Sequence, residues 1–183
     1  PETATAKLEP QTDTLHSVEE KAKAELALRF LTRKRLLPFV ERFNPDYQAG
    51  WVHKDICKRL EEFSKDVAEK KSPRLMLFMP PRHGKSTLAS VAFPAWHLGR
   101  HPQHEFISCS YSGALAMGFS RKVRQLLREP TYKTAFSTRL DPDSRSAEAW
   151  LTCNGGGFVS AGVGGGITGK GAHILVIDDP VKN

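Results

Sequence analysis

Hydrophobic positions follow two different periods along this chain. From Ser17 onward, Val18, Ala22, Leu26, Phe30 and Leu31 recur at helical spacing until Leu37 meets Pro38, and Ser17 with Glu20 makes a capping box, which predicts a helix. Phe39 to Gly50, containing Asn44-Pro45-Asp46, reads as a loop. Val52, Ile56, Leu60, Phe63 and Val67 then form the stripe of a second amphipathic helix. From Arg74 the period shortens: Leu75-Met76-Leu77-Phe78-Met79 is a continuous apolar run closed by Pro80-Pro81, the pattern of a strand buried on both faces. Further strands are predicted at 106–109, 157–161 and 174–177. Helices are predicted at 86–98, where Pro94 kinks or closes the element, and at 112–128, where Leu115, Phe119, Val123 and Leu126 share a face. Strands alternating with helices predict an α/β fold with a mainly parallel central sheet covered on both faces. Residues 1–15 carry no apolar period and are expected to be a disordered lead-in, 16–70 an N-terminal helical segment and 71–183 the core.

Composition narrows the class. With 183 residues, 39% of them hydrophobic, the chain can bury a sizeable core. No apolar run approaches the roughly 18 to 20 residues of a membrane span, and PETATAKLEP has no signal pattern, so membrane and secreted classes are excluded and a cytoplasmic location is expected. Cys57, Cys109 and Cys153 are odd in number and far apart, which predicts reduced thiols rather than a disulfide framework or a zinc site. The net charge of +7 is unevenly placed: residues 1–70 carry 13 Lys+Arg against 13 Asp+Glu, and residues 71–183 carry 14 against 7. A basic core behind a neutral leader suggests a polyanionic partner, phosphate or nucleic acid, although solubility alone would also account for it.

The strongest chemical signal is Pro80-Pro81-Arg82-His83-Gly84-Lys85-Ser86-Thr87, between a predicted strand and a helix. In that context it is a phosphate-binding loop. Gly84 lets backbone N–H groups approach phosphates, Lys85 supplies a point charge to the outer phosphates, and the Ser86 hydroxyl is a Mg²⁺ ligand at a helix N-terminus. The first glycine of GxxxxGK[ST] is missing, because Met79 stands in its place. A second segment, Gly164-Gly165-Gly166-Ile167-Thr168-Gly169-Lys170, fits the pattern better, but Gly171 replaces the hydroxyl residue and a strand follows where a helix is needed. Lys85 is therefore preferred to Lys170. The segment 162–171 reads as a flexible connection, or as a mobile loop that contacts DNA or responds to the nucleotide.

Ile174-Leu175-Val176-Ile177-Asp178-Asp179 has the Walker B form, four apolar residues ending in adjacent acids at the C-terminal end of what should be a central strand. Asp178 is assigned to the Mg²⁺ shell and Asp179 to orienting the attacking water, although Asp is one methylene shorter than the Glu common there. Arg82 could touch the γ-phosphate. Arg121, Lys122, Arg124 and Arg128 line a helix face and read mainly as solvated charges, with an arginine finger in trans as the alternative. His83 reads as a loop residue without acid–base duty, and no histidine shows metal-ligand spacing.

Taken together, Leu77-Phe78-Met79-Pro80-Pro81-Arg82-His83-Gly84-Lys85-Ser86, Ser108-Cys109-Ser110-Tyr111-Ser112, Gly164 to Gly171, and Ile177-Asp178-Asp179-Pro180 resemble the ATPase region of the large terminase subunits of tailed bacteriophages, over about residues 38–183. The resemblance implies a P-loop NTPase fold of the ASCE type, with ATP and Mg²⁺ as cofactors and double-stranded DNA as the translocated substrate. It further implies a homo-oligomeric ring docked on a portal protein and recruited by a small terminase subunit, in the cytoplasm of a bacterial host. It also implies an adenine-contacting segment upstream, matched here by Tyr47-Gln48 with His53, and a role for Ser110-Tyr111-Ser112 in touching substrate or relaying motion. Terminases continue past Walker B into more strands and a nuclease domain, so a chain ending at Asn183 is expected to be an N-terminal fragment without nuclease activity. The competing readings are a nucleotide-binding or assembly module without turnover, and another P-loop translocase or helicase.

Overall fold

The computed structural model describes residues 11–167 and 169–181; residues 1–10 of the expected lead-in lie outside them. Helix α1 (Gln11–Lys34) starts six residues before Ser17, which is therefore inside the helix rather than its cap. Its apolar stripe is not a core face: Val18, Leu26, Phe30 and Leu31 are exposed, whereas Thr32 is fully buried and its carbonyl accepts the Trp96 indole N–H. The chain breaks at Arg35, which is extended, and rewinds as α2 (Leu36–Phe43), so helix occupies the first part of the expected loop. Pro38 sits in the first turn of α2, where a missing N–H costs nothing. The break is fixed from a distance. Glu61 on α3 (Trp51–Ala68) accepts the Leu36 backbone N–H at 2.6 Å and the Arg35 Nε–H at 2.8 Å.

Four strands form one sheet: β1 (Glu105–Ser110), β2 (Ala149–Leu151), β3 (Gly157–Gly162) and β4 (Ile174–Asp178). Their order is β2-β3-β1-β4, with β1 parallel to β3 and β4 and β2 antiparallel to β3, so the sheet is mixed rather than mainly parallel. The strand expected at 75–79 joins no ladder. That segment is extended, with Leu75, Leu77 and Met79 packed against the core and Met76 and Phe78 turned outward, Phe78 being 88% exposed. Consequently β4 lies at the sheet edge, not at its centre, and Leu175 and Ile177 are 52% and 58% exposed. Strand β2 was not predicted; its local signal is Asn154-Gly155, a turn pair in which Gly155 has φ +83°.

One sheet face carries the core. Trp150 stacks on Phe158 (5.4 Å, 6°) and Phe158 on Phe106 (6.1 Å, 10°), under helix α5 (Gly113–Arg128). The buried line of α5 is Ala116, Ser120, Val123 and Leu127; of the predicted face Leu115, Phe119, Val123 and Leu126, Val123 is fully buried and Leu126 is partly buried against the core. Small residues let the helix sit close to the sheet, and the Trp150 indole donates to Ser120 Oγ at 2.9 Å, which a larger apolar residue could not accept. A π-helical turn, Thr87–Ala92, runs directly into α4 (Phe93–Arg100), with Pro94 inside that first turn. A short helix, α6 (Pro130–Ala135), closes the core with Tyr132, whose hydroxyl donates to the Ala95 carbonyl at 2.9 Å. No described helix is long and apolar enough to cross a membrane. Cys57, Cys109 and Cys153 are all free, and burial pushes the Cys57 thiol up to about 12.

Histidines join α3, α4 and the strand ends. Fully buried His97 is hydrogen-bonded to Ser64 Oγ (2.8 Å) and to His104 (2.9 Å), while the His104 ring stacks on His101 and, at 4.2 Å, on His173 just ahead of β4. Burial first, then neighbouring His101, His104, Arg100 and His173, pushes His97 down to about 2; burial and the neighbouring histidines take His104 to about 4. The unfolded chain takes up these protons near 6.5 and the folded chain does not, so stability is full above about pH 6.5 and declines as pH falls toward 4. Thermal melts at pH 7.5 and pH 5 should show it. His97 alone should cost about 2 kcal/mol at pH 5, and His97→Gln should flatten the pH dependence; an equally steep slope in that variant would contradict the assignment.

Candidate functional site

The extended segment 75–79 delivers Pro80-Pro81 into a tight turn, and helical winding begins at Lys85. Two residues of this turn are left-handed, Arg82 (φ +63°) and Gly84 (φ +82°). Gly84 suits that conformation at no steric cost, whereas Arg82 holds it against its usual preference. The loop is braced internally, with His83 Nδ1–H donating to the Pro81 carbonyl at 2.8 Å. It is also braced from α3: His53 Nδ1 accepts the Gly50 N–H at 3.0 Å and Nε2–H donates to the His83 carbonyl at 2.9 Å, so a single neutral tautomer satisfies both. Tyr47 packs edge-on against His53, its hydroxyl buried beside Gly84 without a partner. Gln48 is exposed.

The acids come from the end of β4. Asp178 is 5% exposed and Asp179 follows with φ +46°, its carbonyl accepting the Tyr111 N–H at 3.0 Å beyond the end of β1. Lys85 Nζ lies 2.6 Å from Asp179 Oδ1 and 3.4 Å from Asp178 Oδ1, and the hydrogen bond to Asp179, with the charge of Asp178, raises its pKa above the ordinary lysine value. The other Asp178 oxygen accepts the Ser90 hydroxyl at 2.8 Å. Ser90 was missed by the sequence reading. It stands one helical turn beyond Lys85 and Ser86, in the π-helical turn, and its only signal is that position. Across the register from Asp178 is Ser110, fully buried, with a hydroxyl that has no partner.

A cleft of about 810 Å³ opens over this group, lined among others by Pro81, Arg82, Lys85, Ser86, Thr87 and Asp179. Gly84 and Tyr111 also border it. The structure therefore brings together the loop, both acids and Tyr47. Lys170 is elsewhere: with Gly169 and Gly171 it borders a separate cavity against β2 and β3, sharing no lining residue with the cleft. Backbone N–H groups at a helix start, one lysine and a hydroxyl beside two carboxylates suit a polyanion accompanied by a hard, oxygen-seeking cation.

Comparison with known families identifies the chain. Residues 76–183 match the family model of the terminase large subunit, T4-like-virus type, N-terminal, and the chain belongs to that family. Its members are proteins of phage DNA packaging and are generally ATPases. Comparison with curated proteins and with solved structures gave no match.

His53 ties α3 to the loop through its hydrogen bond to the His83 carbonyl and caps the start of α3 through the Gly50 N–H, so His53→Ala should lower the unfolding free energy by about 1 to 2 kcal/mol in urea titration. Lys170→Ala, on an exposed glycine-rich segment, should change it by less than about 0.5 kcal/mol. Equal effects would mean that the brace contributes nothing.

Proposed function

We propose that this chain is the ATPase part of a DNA-packaging terminase large subunit, a P-loop NTPase that couples Mg-ATP hydrolysis to the movement of double-stranded DNA into a procapsid. The observation that carries the reading is Lys85 reaching from the loop to both Asp178 and Asp179. Backbone N–H groups of residues 82–87 and the Lys85 ammonium hold the phosphates, and Arg82 reaches the outermost one. Ser86 and Asp178 would hold Mg²⁺, which supplies charge neutralisation between the phosphates. Lys85 turns from the acids to the phosphates, which frees Asp179 to orient the attacking water. Tyr47, with its unpartnered hydroxyl, and Gln48 beside it face the base. Positioning of these groups accounts for most of the rate. The assembled motor is a homo-oligomeric ring, recruited by a small terminase subunit and docked on a portal protein in the bacterial host cytoplasm.

One observation favours a second reading, a nucleotide-binding module without turnover: the segment ahead of the loop joins no ladder and β4 is an open edge. Phosphate release separates the two readings.

A non-hydrolysable ATP analogue with Mg²⁺ should raise the melting temperature of the chain, since a ligand of the folded state stabilises by mass action. Lys85→Ala should abolish that rise and Lys170→Ala should keep most of it; the reverse would move the site to the glycine-rich segment. Asp179→Asn should retain analogue binding and lose about a hundredfold in phosphate release. Unchanged turnover would assign water orientation to another carboxylate.

A further inference from the structure

The basic residues of the core do not spread evenly over its surface. A cavity of about 400 Å³ between the end of α5, α6 and the segment after it is lined by Arg124, Arg128, Lys133, Arg139 and Arg145, against one carboxylate, Asp141. None of the five cations forms an ion pair with a described residue. Asp141 is itself engaged, its Oδ1 accepting the Asp143 N–H at 2.9 Å.

Two of the arginines are fixed in place by backbone carbonyls. Arg124 donates from Nη1 to the Arg145 carbonyl (2.7 Å) and from Nη2 to the Ser144 carbonyl (2.6 Å), while its Nε is buried without a partner. Arg139 donates from Nη1 to the carbonyls of Phe136 and Thr138, both at 2.8 Å. Carbonyl acceptors orient a guanidinium and leave its charge in place. Burial, followed by the charge of Arg128, lowers the Arg124 pKa, so the cluster is held together at an electrostatic cost. Arg121 on the same helix is by contrast exposed, its guanidinium meeting Met117 Sδ at 3.2 Å. Rigid, concave, uncompensated positive charge with N–H groups to spare is the chemistry that recognises phosphate oxygens.

We propose that this cavity is a binding site for the phosphodiester backbone of duplex DNA, separate from the nucleotide cleft. No residue is shared between the two. Arg124 and Arg139 form the fixed floor, and the exposed Arg128, Lys133 and Arg145 reach the phosphates. Such contacts position the duplex without reading its sequence.

The test uses the full chain and a fluorescein-labelled duplex, with anisotropy read over about 50 to 200 mM salt. Arg128→Ala/Arg145→Ala should weaken binding about tenfold for every duplex sequence and reduce the slope of log K against log salt by about 2. The same variant should keep the analogue-dependent rise in melting temperature, which reports the nucleotide cleft and separates failure of this site from failure of the ATPase reading. Arg121→Ala/Lys122→Ala, on the same helix but outside the cavity, should leave the slope within about half a unit of the original. An equal loss in both variants would overturn the site in favour of general charge attraction, as would an unchanged slope in the first. Inorganic phosphate that raised the melting temperature of the unaltered chain but not of the first variant, with equal DNA affinity in the two, would overturn the assignment to DNA and leave a small-anion site.

Discussion

Two neighbouring carboxylates at the end of one strand repel each other, and in this protein one ammonium group reconciles them. Lys85 comes from the loop, Asp178 and Asp179 from a strand ninety-odd residues later, and their meeting at 2.6 and 3.4 Å fixes where the loop, β4 and the helix after the loop stand relative to one another. The buried acid is the demanding partner. At 5% exposure Asp178 needs every acceptor position answered, and Ser90 and Lys85 answer it from the same helix. Removing either leaves a carboxylate short of partners in a place water hardly reaches.

The rest of the core can be read as the support for that contact. Flat aromatic stacking of Trp150, Phe158 and Phe106 holds three strands in register, and α5 is drawn onto them along small side chains. The close approach is strict at one point: a Cβ on Gly156 would meet the His104 carbonyl at 2.3 Å, so only glycine lets the β2–β3 turn lie against the chain leading into β1. The same neighbourhood holds the histidine stack, which connects α4 to the residue before β4. Placement of the acids thus depends on packing at the opposite end of their strand.

Features legible in the sequence are those whose cause is local. The loop from Pro80 to Thr87 and the acidic pair carry their chemistry in consecutive residues, and the helix from Trp51 and the strands β1, β3 and β4 carry their own periods. What escaped has its cause elsewhere in the chain. Glu61 decides where α1 ends and α2 begins, a Trp150–Ser120 hydrogen bond decides which side of α5 is buried, and the sheet edge at β4 exists because the apolar run 75–79 forms no ladder. Apolar content identified that run as core material correctly for Leu75, Leu77 and Met79 but not for Met76 and Phe78. Tertiary pairing, which composition does not encode, made the difference. Of the candidate site, Lys85, Asp178 and Asp179 stand out by their order in the sequence and meet in the structure, whereas Ser90 and the bracing role of His53 depend on which atoms lie opposite them in the fold.

The wide turn at Thr87–Ala92 gives the contact between Ser90 and Asp178 a mechanical side. Ser90 lies inside those six residues, so tightening them to ordinary α-winding would rotate its side chain about the helix axis relative to Lys85. Ser90 would then swing off the carboxylate while Lys85, ahead of the turn, kept its place. The winding of this turn and the second hydrogen bond to Asp178 are thus set by the same six residues.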